Sequence, residues 1–226
     1  MGRSMNNAIG PSEPPLDPLA ASPRIFANPV LDKFSRTHHL VPLLAYSPLV
    51  IASLWWSAGR MSWPAIAAAA IAGYLSWTIL EYFGHRFFFH LHMPGQLGER
   101  VQFLVHGVHH DYPSDPSRLV MPPLMSLPIL SISFLALRLL WGAEMVVPVF
   151  GGFLSGYIAY DTLHFHLHHG RSRTLLGRAM RRCHMLHHFQ DDSSWFGVSA
   201  PWWDMVFGTV PRATDKRSER WSGTGR

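Results

Sequence analysis

WPAIAAAAIAGYLSWTILEYFGHRFFFH, Trp63–His90, decides the fold. Its first 18 residues, Trp63–Leu80, carry no charge, and a helix of roughly 20 apolar residues is what a bilayer core requires. Pro64 suits a first helical turn, where its missing N–H is no loss. The stretch then runs without a break into Glu81, His85 and His90. An apolar span that ends in imidazoles points to a metal site at a membrane surface.

The same pairing of apolar run and histidine recurs along the chain. Leu40–Ala58, Leu119–Leu137 and Met145–Tyr160 are also uncharged. Three prolines in Leu119–Leu137 predict a bent or late-starting helix. Gly151, Gly152, Ser155 and Gly156 predict a close helix approach in Met145–Tyr160. Four such runs are hard to bury in a soluble domain of 226 residues. The expected fold is therefore all-α, an integral membrane four-helix core in two hairpins. The tight turns fall at about Gly59–Ser62 and Trp141–Glu144, and a helical cap carries a histidine-rich dimetal site. Residues 30–210 form this membrane-embedded domain. Residues 1–29, rich in proline and without hydrophobic period, read as a disordered leader, and 211–226 as a disordered tail.

Charge orients the hairpins. The chain carries 19 Lys and Arg against 14 Asp and Glu. Arg24, Lys33 and Arg36 precede the first run; Arg86, Arg100 and Arg118 lie in the long connection; Arg171, Arg173, Arg178, Arg181 and Arg182 follow the last. The two short turns hold only Arg60 and Glu144. Both termini and the histidine-bearing segments are thus expected on the cytoplasmic side. Basic residues placed this way fit contact with lipid headgroups better than with nucleic acid.

Ten of the 15 histidines cluster: His85 and His90; His106, His109 and His110; His164 and His168; His184, His187 and His188. Residues three and four apart share a helix face, so each H-x-x-H-H box is expected to aim at one point. His85 and His90 diverge on an α-helix and fit one metal across a bend or two side by side. Ten imidazoles supply five ligands for each of two metal ions. The single cysteine, Cys183, excludes a thiolate site. Nitrogen ligands suit zinc, copper, iron or nickel and not calcium or magnesium. Glu81, Asp161, Asp111 and Asp204 are the carboxylates placed to take a ligand's second ring nitrogen. Helix spacing favours Asp161, one turn before His164. His38, His39, His92, His166 and His169 fall outside these faces and read as ordinary side chains.

The segments EYFGHRFFFH (81–90), HGVHHDYPSDPSRLVMPP (106–123), GYIAYDTLHFHLHHG (156–170), HMLHHF (184–189) and FGVSAPWWDMVFGT (196–209) resemble the fatty acid hydroxylase and sterol desaturase superfamily. DPSRLVMPP and YD-x-x-H-x-x-x-H point to its fatty acid 2-hydroxylase branch. The resemblance implies a dimetal centre on the ten clustered histidines, with iron as the working metal and zinc able to occupy it. It implies oxygen-dependent hydroxylation at the 2-position of a long-chain acyl lipid, as free acid, thioester or ceramide. The leader is too short for the cytochrome b5-like domain fused to some members, so a separate electron donor, cytochrome b5-like or ferredoxin-like, is expected. Two alternatives remain at this stage: a sterol or carotenoid hydroxylase or desaturase of the same superfamily, and a metal-binding membrane protein without catalysis. Metal transport would place ligands inside the spans, and these lie at their ends.

Overall fold

The computed structural model describes residues 19, 21–91 and 93–211, and among these it contains helices and no strand. In chain order they are α1 (Pro29–Phe34), α2 (Val41–Ala58), α3 (Trp63–Phe83), α4 (Gln96–Gln102), α5 (Val108–Asp111), α6 (Pro123–His169), α7 (Leu175–Phe189) and α8 (Trp202–Phe207). Two π-helical segments, Gly84–Phe89 and Phe103–Gly107, extend α3 and join α4 to α5. α2, α3 and α6 are long and apolar enough to cross a membrane.

α6 contains 47 residues, roughly 70 Å if straight. It is not straight. Gly142 has φ 78° and ψ 179°, a conformation that side chains resist, and the chain folds back there. The rings of Phe134 and Phe150 lie 5.1 Å apart across the fold. The second hairpin thus exists, but its expected turn at Trp141–Glu144 reduces to a break at one residue. Its first arm starts late, at Pro123, with Pro122 in extended conformation before it. Its second arm runs past Tyr160 to His169, and α3 likewise outlasts Leu80.

Packing fixes the directions. Backbone meets backbone where α3 crosses the second arm of α6: a Cβ on Gly73 would strike the Val149 carbonyl, and one on Gly152 the Ala70 carbonyl. Trp77 fills the space above Gly156 and packs on Tyr160. Higher numbers meet higher numbers, so these two helices run parallel. On α2 the order reverses. Ser53 donates to the Val147 carbonyl at 2.9 Å, while Tyr46 sits against Tyr157 and pairs with Ser126. The tight turns after α2 and within α6 therefore share one end of the bundle, and the histidine segments share the other.

The bundle's outer surface is apolar. Leu44, Ile51 and Trp55 on α2 and Ile132, Leu139 and Leu140 on α6 are exposed. In water such a surface would be a large apolar patch; in a bilayer it is the ordinary outside of a span. The chain is an integral membrane protein by this reading.

At the histidine end, α1, α4, α5, α7 and α8 form the cap. Residues 21–28, assigned above to the disordered leader, pack onto it. The Ile25 amide donates to Asp32 at 2.8 Å, Ser22 donates to Asp115 at 2.5 Å, and Asn28 caps α1. The buried Asp32 carboxylate anchors this segment, which composition could not reveal. Residues 1–18, 20 and 212–226, which hold the rest of the expected leader and tail, lie outside the described residues, as does His92.

Candidate metal centre

The ten clustered histidines converge on two points, five each. His85, His90, His106, His110 and His187 form one group; His109, His164, His168, His184 and His188 form the other. Within each group the ligand nitrogens lie within 4.8 Å of one another. In the His85 group, Nε2 atoms are 3.1 Å apart for His85–His106, His90–His187 and His106–His110, and 3.2 Å for His85–His90. In the His109 group they are 3.1 Å apart for His109–His164 and 2.8 Å for His168–His184. A metal–nitrogen bond of about 2.1 Å puts neighbouring ligands at right angles about 3.0 Å apart. The observed spacings match that edge, so each group fits a metal ion.

The partition differs from the expectation that each box aims at one point. His106 and His110 turn to the His85 group and His109 to the other; His184 and His188 turn to the His109 group and His187 away from it. The reason is helical rotation. From position i, i+4 lies about 40° one way and i+3 about 60° the other. Each H-x-x-H-H box therefore straddles two adjacent points. The His85–His90 spacing is resolved by the π-helix at Gly84–Phe89, which closes a His90 N–H to His85 carbonyl bond of 3.2 Å. A π-turn brings i and i+5 onto one face.

Both groups are buried in the cap. Burial, and after it the neighbouring imidazoles, hold His106, His109 and His184 well below the ordinary histidine range and push His110 down to about 3. The rings are thus neutral, which frees the lone pair that a metal needs. His188 Nε2 is buried with no hydrogen-bond partner, as suits an acceptor reserved for an ion.

The second ring nitrogens are treated unequally. His85 Nδ1 meets the Phe196 carbonyl and His187 Nδ1 the Ser194 carbonyl, each at 2.6 Å. In the other group, Nδ1 of His109, His164, His184 and His188 is buried without a hydrogen-bond partner. Among the described residues no hydrogen bond joins Glu81, Asp161, Asp111 or Asp204 to a ligand imidazole. Asp111 is exposed. Asp161 takes the Met121 amide at 3.4 Å, and Glu81 takes the Ser199 amide at 2.7 Å and its hydroxyl. Asp204 acts one step removed. It accepts from the Phe196 and Gly197 amides, each at 2.8 Å, and from Thr209, which fixes the loop whose carbonyls hold His85 and His187. Trp195, between those carbonyls, adopts φ 57°. Backbone acceptors leave no residue-type signal, so no sequence pattern marks this loop. Phe196 itself packs edge-on against His85. Trp202 is exposed and Trp203 donates to Thr78 at 3.1 Å.

Among the described residues, the histidines set aside stay apart from both groups. His38 lies tilted against His39, and His39 stacks on Phe165. His169 also packs on Phe165, and His166 belongs to neither group.

Two cavities reach the imidazoles. One, of about 540 Å³, lies between α3 and the first arm of α6 and is walled by Leu80, Phe88, Ile129 and Ile132, and by His85. The other, of about 320 Å³, touches His106, His109 and His164 and also holds Arg118 and Asp161. They share Phe89, Val105, Met121, Met125 and Tyr160 as walls.

Bilayer-length helices capped by two five-imidazole groups, with an apolar cavity against them, define a class: histidine-rich membrane enzymes that act on lipid. The family model for fatty acid hydroxylase matches residues 70–209, and the chain belongs to that family. It is 34% identical over 199 residues to dihydroceramide fatty acyl 2-hydroxylase FAH2 of Arabidopsis thaliana, covering 87% of this chain and 84% of that protein. It is 33% identical to the ceramide very long chain fatty acid hydroxylase SCS7 of Saccharomyces cerevisiae, covering 82% of this chain and 48% of that one. A solved structure of full-length scs7p, with only the hydroxylase domain visible, superposes with a TM-score of 0.78 at 32% identity, over 83% of this chain and 71% of that chain. The protein is an oxidoreductase of the fatty acid hydroxylase type.

Proposed function

We propose that this chain inserts one oxygen atom at carbon 2 of a long acyl chain carried by a sphingolipid-type amide. Each turnover takes one O₂, two electrons and two protons, and yields the 2-hydroxy acyl lipid and one water. Two iron ions, one per five-histidine group, would supply the oxygen-activating redox chemistry; zinc has none and would leave the site silent. The ten histidines hold the ions, and the cap excludes bulk water from them. The electrons come from a separate donor protein. The reading rests above all on one observation: the cavity that reaches His85 lies between apolar helices and shares walls with the one that touches both groups. Leu80, Phe88 and Ile132 are partly or well exposed on the outer surface, so a lipid tail can enter sideways from the bilayer. A sterol or carotenoid substrate finds no such support, since the named relatives act on acyl lipids.

The arginine distribution supports a cytoplasmic site with four crossings, the two arms of α6 counting separately. The test is mass spectrometry of the iron-loaded, purified chain given labelled O₂, a reductant and an N-acyl sphingoid lipid. Label at acyl carbon 2 is expected, with two metals per chain by elemental analysis. Label confined to a sterol or carotenoid would defeat the substrate, and one metal or none the dinuclear centre.

A further inference from the structure

We propose that Arg118 is the residue that receives the substrate's acyl oxygen and so fixes which carbon meets the metals. This rests on the hydroxylase reading above and adds a specificity-determining residue to it. Arg118 is buried, its side chain 2% exposed, and it lines the cavity that touches His106, His109 and His164. A guanidinium has five N–H donors. Nη2 is taken by Asp32 at 3.0 Å, and Asp115 stands 4.0 Å from Nε. Nη1 and Nε have no hydrogen-bond partner. A buried cation with an idle donor is costly to keep, and Arg118 is part of the wall of the cavity where a substrate would lie.

The surroundings say what kind of oxygen it takes. Asp32 and Asp115 already balance Arg118 and Arg36, with Arg36 Nε 3.1 Å from Asp32. The cluster is neutral before any substrate arrives. Asp161, whose Oδ2 has no partner, lines the same cavity. A free carboxylate would bring an uncompensated charge beside another carboxyl group in an apolar space. A neutral acyl carbonyl, as in an amide, brings an acceptor without the charge. The tail of such a lipid follows the shared walls at Met121, Met125 and Tyr160 into the larger apolar cavity. Anchoring the oxygen next to the imidazoles presents the adjacent carbon, C2.

The experiment has two arms. In the metal-free chain in lipid nanodiscs, binding is compared for three ligands of equal chain length: an N-acyl amide, an ether lacking the carbonyl, and the free fatty acid. The wild type should prefer the amide over both by about tenfold or more, and Arg118→Met should lose that preference over the ether. In the iron-loaded chain, the position of labelled oxygen is read. Arg118→Met should lose at least tenfold of the 2-hydroxy product, with label appearing at carbon 3 and beyond. Arg60→Met, in the tight turn at the opposite end of the bundle where the side chain donates to the Trp56 carbonyl, should keep the oxygen at carbon 2. Should Arg118→Met not fold, Arg118→Lys, which keeps the charge and loses the planar donor fork, carries both arms. Retained preference and retained position in these Arg118 variants would overturn the proposal. So would a scattered product from Arg60→Met, and a free acid bound as tightly as the amide would overturn the choice of a neutral oxygen. A wild type that makes no 2-hydroxy product would defeat the hydroxylase reading, while the metal-free arm would still judge Arg118.

Discussion

The two histidine groups have the same size and ligand type, yet they are held differently. The His85 group has two of its rings locked by backbone carbonyls, Phe196 to His85 and Ser194 to His187. The His109 group has four Nδ1 atoms with no partner; His168 alone faces a carbonyl, that of Pro113. A ring fixed through its second nitrogen has one tautomer and one orientation. The difference implies two ions of unequal stability at a centre that is symmetrical in composition.

The largest effects test whether two groups exist as drawn. Because each H-x-x-H-H box straddles both, His109→Ala and His187→Ala strike different ions although they sit in different boxes at the same position. Each should reduce hydroxylation more than a hundredfold and lower metal content toward one per chain. His38→Ala, in a ring that packs against His39 away from both groups, should change neither. Activity and elemental analysis on the same preparations decide it. If His109→Ala and His110→Ala emptied the same ion, the partition would be wrong.

A smaller effect sharpens the asymmetry. Under a metal chelator the loaded protein should release its ions in two phases, the His109 group first. Loss of an orienting partner typically costs about 10- to 100-fold in metal affinity. Asp204→Asn turns one of the two oxygens that fix the amides of Phe196 and Gly197 into an amide donor. It should weaken the slow phase by about tenfold and leave the fast one as it was. Metal content followed against time would show this; a single phase in the parent protein contradicts the asymmetry itself.

This contrast also marks where the sequence stops being readable. Uncharged runs and clustered imidazoles are compositional, so the spans and the ten histidines stand out from residue types alone. Whether His109 joins His106 or leaves it depends on about 100° of helix rotation between His109 and His110, which spacing rules blur. The π-turn at Gly84–Phe89 is a backbone choice with no reliable residue signature. Asp161 held the better claim as a histidine partner from its place one turn before His164, yet it takes a backbone amide. Asp204, far from most of the ligands in sequence, holds the loop that orients two of them. Gly142 stood inside the expected turn, but nothing in its neighbours says that one residue would suffice.

The smallest effect asks whether the asymmetry extends to protons. In the metal-free chain each group contains a ring whose proton affinity burial lowers. His110 of the His85 group is pushed down to about 3, chiefly by burial. His188 of the His109 group is lowered further, also chiefly by burial. An unfolded imidazole takes its proton near pH 6.5. Below that pH the unfolded chain binds protons that the folded chain refuses, so the fold loses stability as pH falls from about 7 and keeps losing it toward the folded values. Above 7.5 these groups contribute no slope. Each such ring costs about 1.4 kcal/mol at pH 5.5. Removing one should therefore flatten the loss by that amount. His110→Gln and His188→Gln are expected to flatten it equally, because burial and not orientation sets both values. Thermal midpoints of the metal-free variants between pH 5.5 and 8 measure this. A clearly larger flattening from His188→Gln would mean that the partnerless Nδ1 atoms of its group also govern protonation, and that the two groups differ in more than rigidity.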